Sequence, residues 1–491
     1  MYPASSLCST KLRRTLQLPL SLSSNQNYYF CPFRSYPILP INFSANHRND
    51  SGRTQEDSDL NKIKHIQMIN TGDLHIEDEI RPLFDFTFNH LSGKAVSDIL
   101  TEPLDSIPAI IYRQQVLKGF IANQELLKEY SFSRFDLSDI YTFLETFYAG
   151  SFSARKMKWK FMFSEKERSQ KKGKLILLVR LFHKIYYSYL SKIDTKAFPA
   201  EYAIELEHLK GFFADFNLDR YELAFTKKKF GIRHMVELMK IITKKITTGE
   251  AASFWKRWFL FEAYLSISTG ITRHGFTFPS FHETTFSLEK FYHPLLKTPV
   301  KNDLTASKNV ILLTGPNMSG KSTLLKAVSL CVYLGHTGLA VPASKATIPF
   351  FTSISVAINL TDSIVSGYSH FMSEIVTLKN VLEEAAGNTK CFAVFDELFR
   401  GTNIEDALEI SSTTIKGLVN FPNSLFFIST HLHQLKDMEE IKTNKVSTCF
   451  IECELTGDTP AFTYKLKNGW SDLKLGRILF EKEGLNKMLS Q

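Results

Sequence analysis

The chain has 491 residues, of which 44% are hydrophobic and 22% are charged. This is an ordinary globular composition, and the length suits two or three domains better than a single core. A net charge of +9 permits contact with a polyanion but is not evidence for a fold or an activity. The longest apolar stretch, at 175–190, is interrupted by Arg180, His183 and Lys184, so we predict no membrane-spanning helix.

Residues 1–75 are the least foldable part and are predicted to form a disordered or targeting-like tail. No Asp or Glu precedes Asp50, whereas Ser is abundant and five Lys or Arg residues are present. Such a start resembles an organelle transit peptide. The alternatives are a disordered tail or upstream sequence translated from a start codon set too early. We therefore expect a cytoplasmic or nucleoid-associated protein, or an organelle protein if residues 1–49 are a transit peptide.

Six cysteines are spread over the chain, and no two form a Cys-x-x-Cys pair. They are Cys8, Cys31, Cys331, Cys391, Cys449 and Cys453. Because those in the C-terminal half lie mostly among apolar residues, we expect free thiols in a reducing compartment rather than disulfides or zinc ligands.

Residues 76–280 are predicted to form an all-α helical core domain, because apolar residues recur there at three- and four-residue spacing. The predicted helical segments are 106–130, 137–148, 175–193, 202–216, 232–246 and 251–271. One stretch, 155–174, is strongly basic, with only Glu165 and Glu167 as acids. Such a run is typical of a solvated helix face or loop, and contact with phosphates is the alternative.

Residues 281–491 are predicted to form an α/β domain. Short β-rich runs at 309–314, 391–395 and 425–430 alternate with helical segments. That alternation is typical of a mostly parallel sheet flanked by helices.

A phosphate-binding loop follows the first of these strands. Gly315 and Gly320 are separated by four residues and followed by Lys321 and Ser322, which is the P-loop pattern. The glycines let backbone N–H groups curl around phosphate oxygens, and the next helix adds the positive end of its dipole. Lys321 can reach the β- and γ-phosphates of ATP, and the Ser322 hydroxyl can bind Mg²⁺. The predicted nucleotide-binding residues are Gly315, Pro316, Asn317, Met318, Ser319, Gly320, Lys321, Ser322 and Thr323.

The other two strands also end in polar residues. The strand at 391–395 leads into Asp396 and Glu397, which suit a Mg²⁺ ligand and a general base for the attacking water, respectively. The strand at 425–430 is followed by His431, which can hydrogen-bond the γ-phosphate or that water. The alternatives are surface acids at a strand end and a structural histidine.

The order of these motifs resembles the arrangement in ABC ATPases, in which a Ser-bearing signature segment before the acid pair completes the site of a partner subunit. The candidate signature segment is 366–374, and Ser369 is its predicted catalytic residue. The resemblance implies an ABC-type P-loop ATPase domain whose active sites each need two chains.

Four motifs narrow this resemblance to the MutS family of DNA mismatch-repair ATPases. The loop at 315–323, Gly-Pro-Asn-Met-Ser-Gly-Lys-Ser-Thr, is similar to that family's own version, and 396–403 resembles its Asp-Glu-x-x-Arg-Gly-Thr-Ser segment. The segment 369–372 resembles its Ser-Thr-Phe-Met signature, and 430–431 resembles its Thr-His pair. With weaker upstream similarities, the resemblance covers residues 80–488.

The resemblance implies an ATP-hydrolysing, DNA-binding protein that uses Mg²⁺, forms a homodimer or a heterodimer with another MutS-like chain, and acts in mismatch repair or related DNA transactions. Departures from the family pattern argue against mismatch recognition by this chain alone. Nothing before residue 80 is long enough for the mismatch-sensing domain, so we expect a short form that lacks it and has a reduced clamp. His370 replaces the signature Thr, and the aromatic expected to stack on adenine near 299–300 is missing. The chain ends soon after residue 485, which leaves no room for the family's C-terminal dimerisation element.

Three other interpretations stay open. A recombination- or chromosome-type ABC ATPase needs long heptad arms and a Leu-Ser-Gly-Gly motif, and a transporter subunit needs the same motif; the sequence contains neither feature. The third is a nucleotide-switched scaffold or branched-DNA clamp without mismatch recognition that hardly hydrolyses ATP. Comparing ATP turnover with ATP binding distinguishes it from an ATPase.

Overall fold

The computed structural model describes most of the chain beyond the N-terminal tail. The described residues are 67–147, 153–358, 370–387, 389–399, 401–456, 459–471, 473, 480–481 and 484–489, and only the backbone is described at 67–70, 370, 455–456, 459–460 and 486–487. All of them belong to one compact unit. The first 66 residues of the predicted tail, including the candidate transit peptide, Cys8 and Cys31, lie outside these ranges.

Helices make up the described chain between residues 90 and 274, in agreement with the predicted helical core. They are α1 (His90–Thr101), α2 (Ile107–Ala122), α3 (Gln124–Leu127), α4 (Arg134–Glu145), α5 (Ala154–Phe163), α6 (Glu165–His183), α7 (Ala200–Phe212), α8 (Leu218–Thr226), α9 (Ile232–Thr247) and α10 (Glu250–His274). Asn89, Ser133, Ser153 and Ser164 each cap a helix by accepting a hydrogen bond from the N–H three residues ahead.

Helix α10 lies at the centre of the helical part. It is buried along most of its length and packs against α1, α2, α7 and α9. Its Glu262 is 2% exposed and accepts hydrogen bonds from Phe88 N (2.7 Å), Asn89 Nδ2 (2.6 Å) and Ser92 Oγ (2.6 Å). Burial raises the pKa of Glu262, and the three donors offset part of that desolvation. The carboxyl group therefore ties α10 to the start of α1.

A seven-stranded sheet contains all three strands predicted in the C-terminal part. In spatial order its strands are β1 (Gln67–Asn70), β7 (Ser353–Ala357), β8 (Cys391–Asp396), β9 (Leu425–Ser429), β5 (Val310–Thr314), β10 (Ser447–Thr456) and β11 (Thr459–Asn468). Neighbouring strands are parallel except for β10 and β11, so the sheet is mostly parallel, as predicted. Gln67–Asn70, which we predicted to lie in the tail, forms the edge strand next to β7.

The sequence does not predict the second sheet, which has four strands. They are β2 (Ser280–Phe281), β6 (Lys345–Ile348), β3 (Phe286–Phe291) and β4 (Asn302–Ala306), and only β2 and β6 pair in parallel. The helices of this part are α11 (Lys321–His336), α12 (His370–Ala386), α13 (Ile404–Leu418), α14 (Glu439–Lys442) and α15 (Leu485–Leu489). Nowhere in the described ranges is a helix both long enough and apolar enough to cross a membrane. The domain boundary at 280–281 stays a prediction, although the change from helices to strands falls there.

The seven-stranded sheet lies between two apolar layers. On one face, Ile311 and Leu313 of β5 belong to the core that also contains the buried side chains of α1 to α10. On the other face, Val310 and Leu312 pack with side chains of α12 and α13. Because successive side chains of a strand point to opposite faces, β5 is buried on both sides, which explains its continuous apolar run. The helical part and the sheet therefore share one core.

The described cysteines are free thiols, as predicted. Cys331, Cys391 and Cys449 are buried, and Cys453 is partly exposed. Burial raises the pKa of the Cys331 and Cys449 thiols. Thiols held in their protonated form are poor nucleophiles, so these cysteines act as apolar core residues.

Burial of His336 makes the stability of the protein depend on pH. Its Nδ1 donates to Val332 O (2.8 Å), its Nε2 accepts from Phe351 N (2.9 Å), and burial lowers its pKa to about 4. The unfolded chain, in which a histidine has a pKa of about 6.5, binds a proton that the folded protein excludes. The stabilisation is therefore fully present above about pH 6.5 and is lost as the pH falls towards 4.

From His336 alone we expect the free energy of unfolding to fall by about 2 kcal/mol between pH 7 and pH 5. Urea titrations of the wild type and of His336→Gln at several pH values measure this effect. The Gln variant should be less stable than the wild type at pH 7. Between pH 7 and pH 5, however, its free energy of unfolding should fall by about 2 kcal/mol less than that of the wild type. Parallel pH profiles for the two proteins would contradict the prediction.

Candidate functional site

Three neighbouring parallel strands bring the predicted site residues together. Strands β8, β9 and β5 lie side by side in the sheet, and the carboxyl ends of parallel strands meet at one edge. The loop 315–320 follows β5, Asp396 and Glu397 lie at the end of β8, and His431 follows β9. Motifs that are far apart in the sequence therefore converge.

The phosphate loop has the backbone conformation that its glycines predict. Gly315 and Gly320 have φ values of 138° and 96°, a region that residues with a Cβ rarely adopt. A Cβ on Gly315 would lie 3.1 Å from Ser319 Oγ, so the turn has little room for one. Helix α11 begins at Lys321, and the N–H groups of its first turn have no partner within the helix. Loop and helix together form a concentration of donors suited to an anion.

A buried hydroxyl inside this loop is unsatisfied. Ser319 is fully buried, and its Oγ has no hydrogen-bond partner in the part of the chain that the structure describes. A buried donor without a partner costs about 1–3 kcal/mol. A phosphate oxygen would accept a hydrogen bond from this hydroxyl, so the loop fits a phosphate-bearing ligand.

The other loop residues differ in exposure. Pro316 is buried, Ser322 is half-buried, and Asn317, Met318 and Thr323 are exposed. The predicted nucleotide-binding residues therefore form one loop and the first turn of α11.

The Lys321 side chain lies inside the loop and is 5% exposed. Its Nζ donates to Gly315 O (3.0 Å) and Pro316 O (3.4 Å). The same Nζ lies 3.7 Å from Oε1 of Glu397. A buried ammonium group needs such partners, because an uncompensated charge in this environment is strongly destabilising.

Glu397 connects the polar groups at the three strand ends. Its N–H donates to Ser429 O (3.2 Å) and Ser429 Oγ (3.0 Å). Its Oε1 lies 3.8 Å from His431 Nδ1 as well as 3.7 Å from Lys321 Nζ. The Ser429 hydroxyl also donates to the carboxylate of Asp396. The structure therefore places Lys321, Asp396, Glu397 and His431 in one network.

One side of this network is open to solvent. The side chain of Glu397 is 15% exposed and that of His431 is 53% exposed. Water can therefore reach the carboxylate from the histidine side, as general-base chemistry requires.

Comparison with known proteins identifies the family of this part of the chain. Residues 311–487 match the family model of MutS domain V. These residues, called domain V below, are similar to MutS domain V. The matched residues include Asp396, Glu397, His431 and Lys321. The resemblance to the MutS family is thus confirmed.

Three relatives, each named DNA mismatch repair protein MutS, show the extent of the similarity. The protein from Macrococcus caseolyticus is 35% identical over 178 residues, which are 34% of this chain and 21% of that protein. The one from Bacillus subtilis is 27% identical over 264 residues, 52% of this chain and 29% of that protein. The one from Desulfitobacterium hafniense is 27% identical over 317 residues, which are 61% of this chain and 36% of that protein. The alignments therefore span between 21% and 36% of the length of these relatives.

Three residues near the phosphate loop and the acid pair hold a backbone conformation that is costly for residues with a Cβ, as do Asn444 and Tyr464 within residues 311–487. The φ value is 69° at Met318, 56° at Glu397 and 64° at Phe399. Each costs on the order of 1 kcal/mol or more and persists only where the surroundings enforce it. At Glu397 the enforcing contacts are the two hydrogen bonds to Ser429. Such strained residues cluster at functional sites, and here all three border the phosphate loop or the acid pair.

The predicted signature residue Ser369 lies outside the described residues, as does Arg400. Helix α12 begins at the residue after Ser369. Phe371 in its first turn packs against Phe399, with 6.1 Å between the ring centroids. A Cβ on Gly401 would lie 3.0 Å from Phe371 Cβ. The start of α12 is therefore held against the segment that follows the acid pair.

Tyr464 lies beside the phosphate loop of domain V, although no motif indicates it. Its ring is 3.3 Å from the position of a Cβ on Gly320, and the residue is 47% exposed. Asn302 holds this part of β11, because its Nδ2 donates to Tyr464 O (3.0 Å) and its Oδ1 accepts from Leu466 N (2.8 Å). Strand β11 has a register shift here, and φ at Tyr464 is 56°. This irregularity depends on strand pairing, so no local sequence pattern signals it.

The described side chains do not form a metal site made of protein ligands alone. Within the described ranges, no group of three or more His, Cys, Asp and Glu side chains is arranged to bind one. Mg²⁺ in nucleotide sites usually takes one or two protein oxygens, with water and phosphate oxygens as its other ligands. Asp396 and Ser322 stay the predicted ligands.

Proposed function

We propose that this protein is an ATP-hydrolysing, DNA-binding ATPase of the MutS type with an ABC-type P-loop active site. The observation that carries the proposal is the convergence of Lys321, Glu397 and His431 beside the phosphate loop of domain V. A buried cation, a carboxylate next to it and a partly exposed histidine are groups suited to binding a nucleoside triphosphate and activating water.

In this proposal the loop 315–323 binds the phosphates of ATP. The N–H groups of the loop and of the first turn of α11 donate to phosphate oxygens, as does Ser319 Oγ. Lys321 shifts its ammonium group from backbone carbonyls to the β- and γ-phosphates. The exposed ring of Tyr464 offers a flat surface on which the adenine base can stack. In the family pattern an aromatic residue near 299–300 has this role.

Hydrolysis uses the residues at the ends of β8 and β9. Glu397 removes a proton from the attacking water, and His431 hydrogen-bonds the γ-phosphate or that water. Asp396, oriented by the hydroxyl of Ser429, and the Ser322 hydroxyl would hold Mg²⁺. When bound, Mg²⁺ supplies positive charge that offsets the charge of the phosphate oxygens.

A complete active site needs two chains in this proposal. Ser369, which directly precedes α12 in the sequence, acts on the γ-phosphate held by a partner subunit, which is a second copy or another MutS-like chain. ATP binding closes two such sites and hydrolysis reopens them. Because α1 to α10 share a core with the sheet, this movement carries the helical part with it around DNA, in mismatch repair or a related DNA transaction.

ATPase rates measured without DNA, with a homoduplex, with a single mismatch and with a branched junction test the proposal. We expect turnover that DNA stimulates. Stimulation chiefly by the mismatch would place the protein in mismatch repair, and equal stimulation by every duplex or by the junction would favour DNA clamping or recombination. Tight ATP binding without turnover would favour a nucleotide-switched scaffold. No response to any DNA would refute the DNA-binding part of the proposal.

A further inference from the structure

Helix α5 presents two stacked aromatic rings on its outer face. Trp159 and Phe163 are 55% and 78% exposed, Met162 beside them is 53% exposed, and Phe161 on the opposite face is fully buried. The Trp159 and Phe163 rings, here called the ring pair, have centroids 5.5 Å apart and planes 11° apart. They are four residues apart and therefore share one face of the helix. Exposed apolar groups of this size on one short helix indicate a binding surface.

The ring pair lies in the most basic part of the chain. Residues 153–174 contain nine Lys and Arg residues and only two acids, while the net charge of the whole protein is +9. Arg155, Lys156 and Lys158 are exposed, and none of them forms an ion pair with any described residue. Arg155 is four residues before Trp159 and Lys156 is seven residues before Phe163, so these two cations share the face of the ring pair, and Lys158 lies to one side of it.

Flat ring faces beside unpaired cations complement a single-stranded nucleic acid. Unpaired bases stack on aromatic rings whatever their identity, and phosphates between them pair with Lys and Arg. A duplex keeps its base faces inside its own stack and offers only phosphates and groove edges. A membrane surface also attracts rings and cations, but it takes up apolar side chains by their area and makes no use of the parallel orientation of the two rings.

We propose that the outer face of α5 binds single-stranded DNA, with bases stacked on the ring pair and phosphates held by Arg155, Lys156 and Lys158. The inference extends the proposed DNA association to a separate surface and does not rest on ATP turnover. This surface belongs to the helical part, where α5 packs on α6 and α9. Unpaired strands occur at branches and gaps, so the surface would favour such DNA over intact duplex.

Fluorescence anisotropy with the full chain and a labelled oligo(dT) of about 20 nucleotides, longer than one stacking site, tests the proposal. Trp159→Ala/Phe163→Ala should weaken oligo(dT) binding at least about tenfold, with less than about a twofold change for a duplex hairpin. Trp159→Phe keeps a ring and should keep the affinity. Arg155→Ala/Lys156→Ala/Lys158→Ala should weaken binding of both DNAs and reduce its salt dependence.

Phe135→Ala is the matched control, because Phe135 on α4 is 87% exposed and lies outside the basic segment; it should bind oligo(dT) like the wild type. Equal thermal midpoints show that the exposed substitutions leave the fold intact. Absence of oligo(dT) binding by the wild type, full affinity in the ring-pair variant, or an equal loss for duplex overturns the proposal.

Two further probes separate this surface from other partners. Preference for oligo(U) of the same length would assign it to RNA, and ring-dependent binding to phosphatidylserine vesicles without oligo(dT) binding would assign it to a membrane; either result overturns the proposal. Lys321→Ala shows whether the proposal for α5 and the proposed ATPase activity stand or fall separately. That variant should lose ATP turnover and bind oligo(dT) like the wild type, because Lys321 lies in the phosphate loop and not on α5.

Discussion

Replacing Glu397 with Gln should reduce ATP turnover at least about 100-fold and leave ATP binding intact. The amide keeps the size of the side chain but cannot accept a proton from water. The amide oxygen can keep the 3.7 Å contact that Oε1 makes with Lys321 Nζ. Removing the negative charge also removes its repulsion of the γ-phosphate, so the affinity for ATP should stay equal or rise.

Steady-state ATPase rates at saturating ATP and equilibrium binding of a fluorescent ATP analogue separate these two effects. Glu405→Gln is the matched control, because Glu405 is exposed in the first turn of α13. The same chemical change there should alter neither turnover nor binding. A normal rate in Glu397→Gln would show that another group accepts the proton, and Asp396 would be the next candidate.

Local sequence patterns predict the parts of this site but not their arrangement. Strands β5, β8 and β9 are short apolar runs that end in polar residues, and their bounds lie within one residue of the predicted 309–314, 391–395 and 425–430. The loop is readable because the P-loop pattern is specific. The order β8, β9, β5 results from pairing between distant segments, and this order brings Glu397 next to both Lys321 and His431.

Tertiary contacts decide the features that the sequence does not predict. The helix predicted at 106–130 ends at Ala122, because the Asn123 amide donates to Gly119 O (2.9 Å) and Asp194 O (3.2 Å). Tyr464 reaches the loop through an irregularity in β11, and the left-handed backbone of Glu397 depends on the hydrogen bonds that its N–H donates to Ser429 of another strand. None of these contacts leaves a local pattern in composition or spacing.

Replacing Lys321 with Ala should weaken ATP binding about 10- to 100-fold, because a hydrogen bond to a charged group contributes about 1.5–3 kcal/mol. Turnover should become undetectable. Lys321 is 5% exposed and its Nζ lies 3.0 Å from Gly315 O within the loop, so the substitution removes a buried positive charge from the loop. Lys326→Ala is the control, because Lys326 is half-buried further along α11 and should not affect ATP affinity.

Lys321→Ala should also lower the stability of the fold, because it removes a positive charge that lies beside the buried negative charge of Glu397. Without the Lys321 cation, a carboxylate that is only 15% exposed loses its nearest buried positive charge, and the thermal midpoint without nucleotide should fall by several degrees. Lys321→Ala/Glu397→Gln should recover most of that loss, because the amide carries no charge. At one fixed concentration, Mg-ATP should raise the midpoint of the wild type and of Glu397→Gln more than that of either variant lacking Lys321. If Lys321→Ala is as stable as the wild type and Mg-ATP raises its midpoint by as much as it raises that of the wild type, Lys321 neither balances Glu397 nor binds phosphate, and the loop 315–323 is not the nucleotide site.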